Sequence, residues 1–217
     1  MKKADKYKTA HLIEDQYEPG SHGRVLRNRL HIIRKRKLDV IEAELYALVL
    51  PKLMDMYTKD HCFTAADICT VHQAWLGDVY EWAGQYRQVN VSKGDFSFAM
   101  ARHIPQLMQD FEKGPLKEFT PCRFKTDEQI LAAFAVVHTE LMLIHPFREG
   151  NGRVGRLIAV LMALQAGLRG LDFTDIRGKK RNEYFAAVQS GLDQNYEPMK
   201  KIFTSVLSRT RRTHAQR

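Results

Sequence analysis

Apolar positions recur at helical spacing along most of this chain. Ile41, Leu45, Leu48 and Val49 predict a helix from about Leu38 to Leu53. Thr64 is placed to cap a second helix through Ile68, Val71 and Trp75, with Gly77 or Gly84 to end it. A third is expected over Ile104–Phe111. Ile130, Phe134, Val137, Leu141 and Ile144 then recur through Glu128–Ile144, whose other faces are also largely apolar, and Pro146 stops the run. A helix apolar on nearly all sides belongs at the centre of a domain. Leu157–Ala166 is mostly apolar as well and closes at Gly167. Asn182–Ser190 and Pro198–Leu207 read as further helices.

One stretch changes period. In Gln85–Ser92, Val89 and Val91 alternate with Gln88, Asn90 and Ser92, the pattern of a half-buried strand. Lys93-Gly94-Asp95 signals a turn, and Phe96-Ser97-Phe98 alternates again. The expectation is an all-α domain with one short β-hairpin leaning on it, since an isolated hairpin is marginal in water.

The 217 residues suit a single domain. Charged residues at 27 % and aromatics at 10 % argue against wholesale disorder. No run approaches the roughly 20 apolar residues of a membrane span, and the start carries no secretory pattern. Cys62, Cys69 and Cys122 fit no metal or disulfide spacing, which points to a reducing, cytoplasmic setting. The net charge of +9 invites a nucleic-acid reading. Its placement weakens that reading. Residues 1–37 carry +7 and residues 199–217 carry +6, leaving residues 38–198 at −4. The surplus sits at the two ends, where solvated termini are the ordinary explanation.

Chemistry concentrates between the two most apolar helices, in His145-Pro146-Phe147-Arg148-Glu149-Gly150-Asn151-Gly152-Arg153-Val154-Gly155-Arg156. Gly150 and Gly152 let the backbone approach a ligand closely. The segment opens a helix, so free N–H groups and the positive dipole end offer an anion site. Arg153 falls in the first turn and Arg156 lies on the same face, two guanidinium groups fit for a polyphosphate. Glu149 would repel phosphate unless Mg²⁺ sits between them. His145 titrates near neutrality and suits general-base work. Phe147 is expected to anchor the loop in the core. Taken singly, each of these residues is ordinary; together in twelve positions they are not.

The segment resembles the signature of the Fic family, His-x-Phe-x-(Asp/Glu)-Gly-Asn-Gly-Arg-x-x-Arg, and agrees at all eight specified positions. Tyr80-Glu81-Trp82-Ala83-Gly84 with the following hairpin resembles the family's pre-flap helix and flap. Tyr17–Ser21 and Leu26-Arg27-Asn28 resemble the lead-in of bacterial members. The resemblance implies a Fic/Fido helical domain over residues 61–207, an N-terminal helical part at 23–60 packed on it, an irregular lead-in at 1–22 and a basic tail at 208–217.

It also implies a protein adenylyltransferase, with ATP as donor and Mg²⁺ as cofactor. His145 would deprotonate a Ser, Thr or Tyr hydroxyl of a target protein. Glu149 would hold Mg²⁺; Gly150, Asn151 and Gly152 would form the anion hole; Arg153 and Arg156 would take the β- and γ-phosphates. Lys93 and Gly94 would touch the nucleotide, and Gln189 the adenine side. The flap, Val89, Asn90, Val91, Ser92, Lys93, Gly94, Asp95 and Phe96, would pair with an extended target segment. Gly152 favours AMP transfer, because the related Doc kinases carry Lys there; some relatives use CDP-choline or UTP instead of ATP. The family's inhibitory motif, (Ser/Thr)-x-x-x-Glu-(Gly/Asn), does not occur in these residues, since Glu precedes Gly or Asn only at Glu149-Gly150. A small antitoxin supplying a Glu to Arg156 is therefore expected. The expected target is a protein such as a bacterial topoisomerase or, for a type IV secretion effector delivered into a host cell, a small GTPase. The alternatives are a Fic-fold binding or effector module with weak or different nucleotide transfer, a nucleic-acid binder using the basic ends, and a metal hydrolase. The last is disfavoured because His138 and His145 are not an i, i+4 pair.

Overall fold

A computed structural model describes residues 9–215. Residues 1–8 of the expected lead-in and residues 216–217 of the expected tail lie outside the described residues. The fold is helical with one small antiparallel hairpin, as the apolar spacing predicts.

Helix α1 spans Lys35–Met56 and α2 spans Ala65–Leu76. Thr64 caps α2 in a capping box: its side chain accepts the Asp67 N–H, while the Asp67 carboxylate accepts the Thr64 N–H at 2.8 Å. Strands β1 (Ser92–Lys93) and β2 (Phe96–Ser97) follow, paired Ser92 to Ser97 and Lys93 to Phe96. Helix α3 (Ile104–Phe111) runs through a π turn at Glu112–Leu116 into one further turn, α4 (Lys117–Phe119). Then come α5 (Asp127–Ile144), α6 (Asn151–Gln165), α7 (Lys179–Ser190) and α8 (Glu197–Ala215).

Helix α5 is the centre. Eleven of its residues are buried, on every face, and α3, α6, α7 and α8 all pack against it. Phe134 is fully buried and meets Phe203 of α8 at 5.5 Å between centroids. Helix α6 approaches α5 closely at Gly155, where a Cβ would lie 2.8 Å from Met142 Cε and 2.9 Å from His138 Cε1. Any larger residue there would have to displace the Met142 methyl and the buried His138 ring.

The structure differs from expectation in three places. The alternation from Gln85 is real in burial, with Arg87 and Val89 inside and Gln88 and Asn90 exposed, but most of it is not strand. Its backbone groups go elsewhere: the Gln88 N–H to Glu14 Oε1 and the Arg87 N–H to the Pro146 carbonyl. The paired hairpin shrinks to two residues a side, and Lys93 belongs to β1 rather than to the turn. Helix α6 starts at Asn151, where the motif segment is expected to open a helix, and six residues before the apolar run Leu157–Ala166, because its polar first turn faces a cleft instead of the core. The basic end, expected as a tail from residue 208, is helical to Ala215. There Arg209 meets Asp172 at 2.7 Å and Arg211 meets Asp127 at 2.8 Å. Much of the C-terminal charge is thus neutralised locally by acidic partners.

The packing makes a stability prediction. Phe134→Ala removes a ring from the centre of α5 and is expected to cost about 4 kcal/mol, read as a lower urea midpoint at unchanged slope.

Candidate functional site

The sequence folds the site by stopping α5 and starting α6 within seven residues. His145 follows the last turn of α5 in the left-handed region, φ 52° and ψ 60°, with its N–H still bonded to the Leu141 carbonyl at 3.0 Å. Proline at 146 then excludes further helix. Phe147 is fully buried, stacked on His72 at 3.9 Å and 12°. Its N–H donates to Asn151 Oδ1 and its carbonyl accepts from Asn151 Nδ2, both at 2.8 Å. This reciprocal pair closes the loop. Gly150 enters α6 at φ 86°, and a Cβ there would lie 2.8 Å from Trp75 Cζ3, so no other residue fits without displacement.

His145, Glu149, Gly150, Asn151, Gly152, Arg153 and Arg156 line one cleft of about 890 Å³. The imidazole stacks on Phe98 of the flap at 3.7 Å and 18°. Its Nδ1 lies 3.2 Å from the Met142 carbonyl; a carbonyl only accepts, so Nδ1 carries the proton and Nε2 keeps its lone pair. Burial lowers the ring's pKa; the Met142 bond opposes this, and the Arg87 and Lys93 charges add to it, bringing His145 to about 4. It is neutral at neutral pH, the form a base needs.

The first-turn N–H groups of Asn151 and Gly152 have no helical acceptor. The Asn151 side chain is buried and committed to Phe147, so only its backbone faces a ligand. Glu149 is half exposed, its Oε1 accepting the Gly150 N–H at 3.0 Å. Arg156, three residues after Arg153, stands beside the Tyr46 hydroxyl and has no carboxylate partner among the described ion pairs.

Arg153 holds a surprise. Its Nη2 lies 2.8 Å from Oε2 of Glu42, a carboxylate 1 % exposed inside α1. Its guanidinium also sits 4.5 Å above the Trp75 ring. Glu42 Oε1 accepts the Tyr80 hydroxyl at 2.7 Å, and the Glu42 carbonyl accepts Trp75 Nε1 at 2.9 Å. The signal was in the sequence: Glu42 falls in the buried row Leu38, Val49, Leu53 of α1, where an acid needs a partner. His72 is a second missed residue. Its Nδ1 accepts the Gly84 N–H at 2.8 Å, so Nε2 carries the proton and donates to the Glu149 carbonyl at 3.1 Å. Burial pushes its pKa down to about 4 and keeps it neutral.

The flap contributes unevenly. Val91, Ser92 and Lys93 line the cleft, and Lys93 lies 4.5 Å over the Phe185 ring. Val89 is buried beneath the flap, and Asn90 Oδ1 is taken by the Ala101 N–H at 2.9 Å. Phe96 packs edge-on against Phe98 and Phe185, while Gly94 and Asp95 form the exposed turn. Gly94 and Gln189 do not line the cleft. On the α7 side Tyr184, Phe185 and Val188 do, with Arg177 and Arg181 at its edge. No group of three metal-ligating side chains occurs among the described residues.

The sequence profile of the Fic/DOC family matches residues 62–163, a span that holds Trp75, the flap, α5 and the whole loop. Over that span the chain matches the Fic/DOC family. It is 27 % identical over 189 residues to the "Probable protein adenylyltransferase Fic" of Escherichia coli K12, covering 85 % of this chain and 88 % of that one. It is 28 % identical over 194 residues to the Salmonella typhimurium protein of the same name, covering 87 % and 90 %. Among solved structures, it resembles BepC, a VirB-translocated effector from Bartonella tribocorum with bound AMPPNP. The TM-score is 0.71 at 22 % identity, over 90 % of this chain and 97 % of that one. A Bartonella quintana Fic domain with bound ADP gives 0.70 at 24 %, over 90 % and 95 %. At these identities the likeness to solved structures shows the Fic fold.

Within that Fic fold, Glu42→Ala is expected to strand the partly buried Arg153 charge and cost about 3 kcal/mol. Glu42→Gln keeps the Tyr80 bond and should cost less. Urea denaturation of both variants checks the order.

Proposed function

We propose that this chain is a protein adenylyltransferase that moves AMP from ATP to a hydroxyl of a protein target. One observation carries the reading. A neutral histidine with a free Nε2 lines the same cleft as an open helix N-terminus and two arginines on one helix face. The names of the relatives in E. coli and Salmonella agree with it, and so do the nucleotides in the two Bartonella neighbours.

In this reading the Fic portion spans residues 61–207, with 23–60 packed on it. The amides of Asn151 and Gly152 face the phosphates, and the Gly150 N–H, which donates to Glu149 Oε1 at 3.0 Å, joins them once that carboxylate turns to the metal. Arg153 presents the N–H groups not directed at Glu42 to the β-phosphate, and Arg156 binds the γ-phosphate. Nε2 of His145 takes the proton of a target Ser, Thr or Tyr hydroxyl. The oxygen attacks the α-phosphorus, the bond to the bridging oxygen breaks, and pyrophosphate leaves. Mg²⁺ fits the residues present: it is commonly held by one or two carboxylates plus substrate phosphates, and Glu149 is a half-exposed carboxylate beside the helix N-terminus, its Oε1 3.7 Å from Arg153 Nη2. There it would neutralise phosphate charge. Backbone of the flap receives the target as an added strand. Tyr184, Phe185 and Val188 take the place proposed for Gln189 on the base side.

A small protein presenting a Glu to Arg156 is the proposed inhibitor, in keeping with an arginine that lacks a described acidic partner. No described helix is long and apolar enough to cross a membrane. The proposed setting is the cytoplasm, and the translocated Bartonella neighbours favour delivery into a host cell as the second setting.

Incubating the chain with α-labelled ATP and cell lysate should label target proteins. His145→Ala is expected to reduce labelling by about 10³-fold; undiminished label would refute the base. The pH dependence has a definite sign. A base held near 4 in the free protein is already deprotonated at pH 6, so kcat/KM stays flat from there to neutrality. It falls only as pH drops through about 4.

A further inference from the structure

Arg87 lies outside the motif and is 1 % exposed, one of the largest fully buried side chains in the protein. A guanidinium is not buried unless its donors are met. Here every recorded acceptor is a backbone carbonyl. Nε donates to His145 at 2.7 Å, Nη1 to Val89 at 2.7 Å, and Nη2 to Ala99 at 2.6 Å and to Ile144 at 3.4 Å. Its own backbone N–H donates to Pro146 at 2.8 Å. Burial pulls the group down to about 10, so it stays charged at neutrality. Glu14, whose Oε1 accepts the neighbouring Gln88 N–H at 2.6 Å, supplies the opposing charge.

These acceptors belong to two places. Ile144 and His145 are the end of α5, where carbonyls lack helical donors and the negative dipole end gathers. Val89 and Ala99 are the two roots of the flap, one on each side of the hairpin. Both places need a fixture. His145 holds a left-handed backbone that L-residues other than Asn and Asp rarely adopt. The hairpin has two residues a side and is marginal alone.

We propose that Arg87 is the positioning residue that couples the flap to His145, one guanidinium holding the backbone of the base and both roots of the flap as a single body. The proposal rests on the reading that His145 is the base and that the flap receives the target. Lysine cannot substitute, because one ammonium lacks the planar fork that reaches carbonyls on both sides.

The full chain and its Arg87→Lys and Arg87→Ala variants decide it. Amide hydrogen exchange is followed at Phe98 and Ala99, whose N–H groups bond to Val91 at 3.2 Å and Leu143 at 3.4 Å. Both variants should exchange these amides at least ~10-fold faster relative to the middle of α5. Calorimetric ATP affinity should change less than about threefold, while labelling of lysate proteins at saturating ATP falls by ~10²-fold. Guanidinium ion added to Arg87→Ala should restore part of the protection and of the labelling. Flap amides that exchange as in the wild type overturn the proposal. So does labelling lost only in proportion to ATP affinity, which marks general damage. If Arg87→Ala does not fold, Arg87→Lys decides by the same measurements. If the wild type itself labels nothing, the adenylyl-transfer reading fails, and the exchange data still decide the clamp.

Discussion

The amide of Asn151, bonded in both directions to the backbone of Phe147, fixes where one buried helix ends and the next begins. Without it the segment from His145 to Gly150 would be a glycine-bearing loop free to wander. With it, His145 leaves α5 in a left-handed turn and Gly150 enters α6 against the ring of Trp75. The imidazole, the open amides and the two arginines inherit their mutual positions from that closure. Phe147 makes the closure stable by burying its ring on His72, and His72 in turn fixes the Glu149 carbonyl. The chemistry of the cleft is therefore built on core packing.

Charge is handled by the same economy. The cleft draws cations from α1, the flap, the loop, α6 and α7, yet several are already engaged: Lys35 with Asp39, Arg148 with the Glu14 carbonyl, Arg153 with Glu42. Lys93, Arg156, Arg177 and Arg181 have no carboxylate partner among the described ion pairs, and Arg156 is the one of them that lies on the motif helix. At the other end of the molecule, Lys200, Arg209 and Arg211 are matched by Glu128, Asp172 and Asp127. The positive C-terminal segment is the exposed face of a docked helix, and its net charge says little about a ligand.

Helices α2, α3 and α5 could be read to within a residue or two at their ends, because apolar spacing and Thr64 mark them. The loop could be read too, since its residues crowd into twelve positions and match a known signature. What could not be read was whatever depends on a distant partner. Glu42 and Arg153 are 111 positions apart in the chain. Arg87 reads locally as a polar residue in a strand pattern, and only the fold brings four carbonyls to it. The start of α6 was legible from the motif, which puts Arg153 in the first turn, and not from periodicity, which reports burial while that turn faces the cleft. On α7 the cleft is lined by Val188 and not by its half-buried neighbour Gln189, a one-residue difference in helix face that composition does not resolve.

The brevity of the hairpin has a consequence for information. Two residues a side present only a few free backbone groups along an edge. Any chain that pairs with this edge is read over one or two residues on either side of the reacting hydroxyl, and mostly through backbone atoms that all sequences share. Such a reader measures distance and shape and is nearly deaf to sequence. Discrimination between one acceptor protein and another must then be written elsewhere, in surfaces that meet before the hydroxyl arrives.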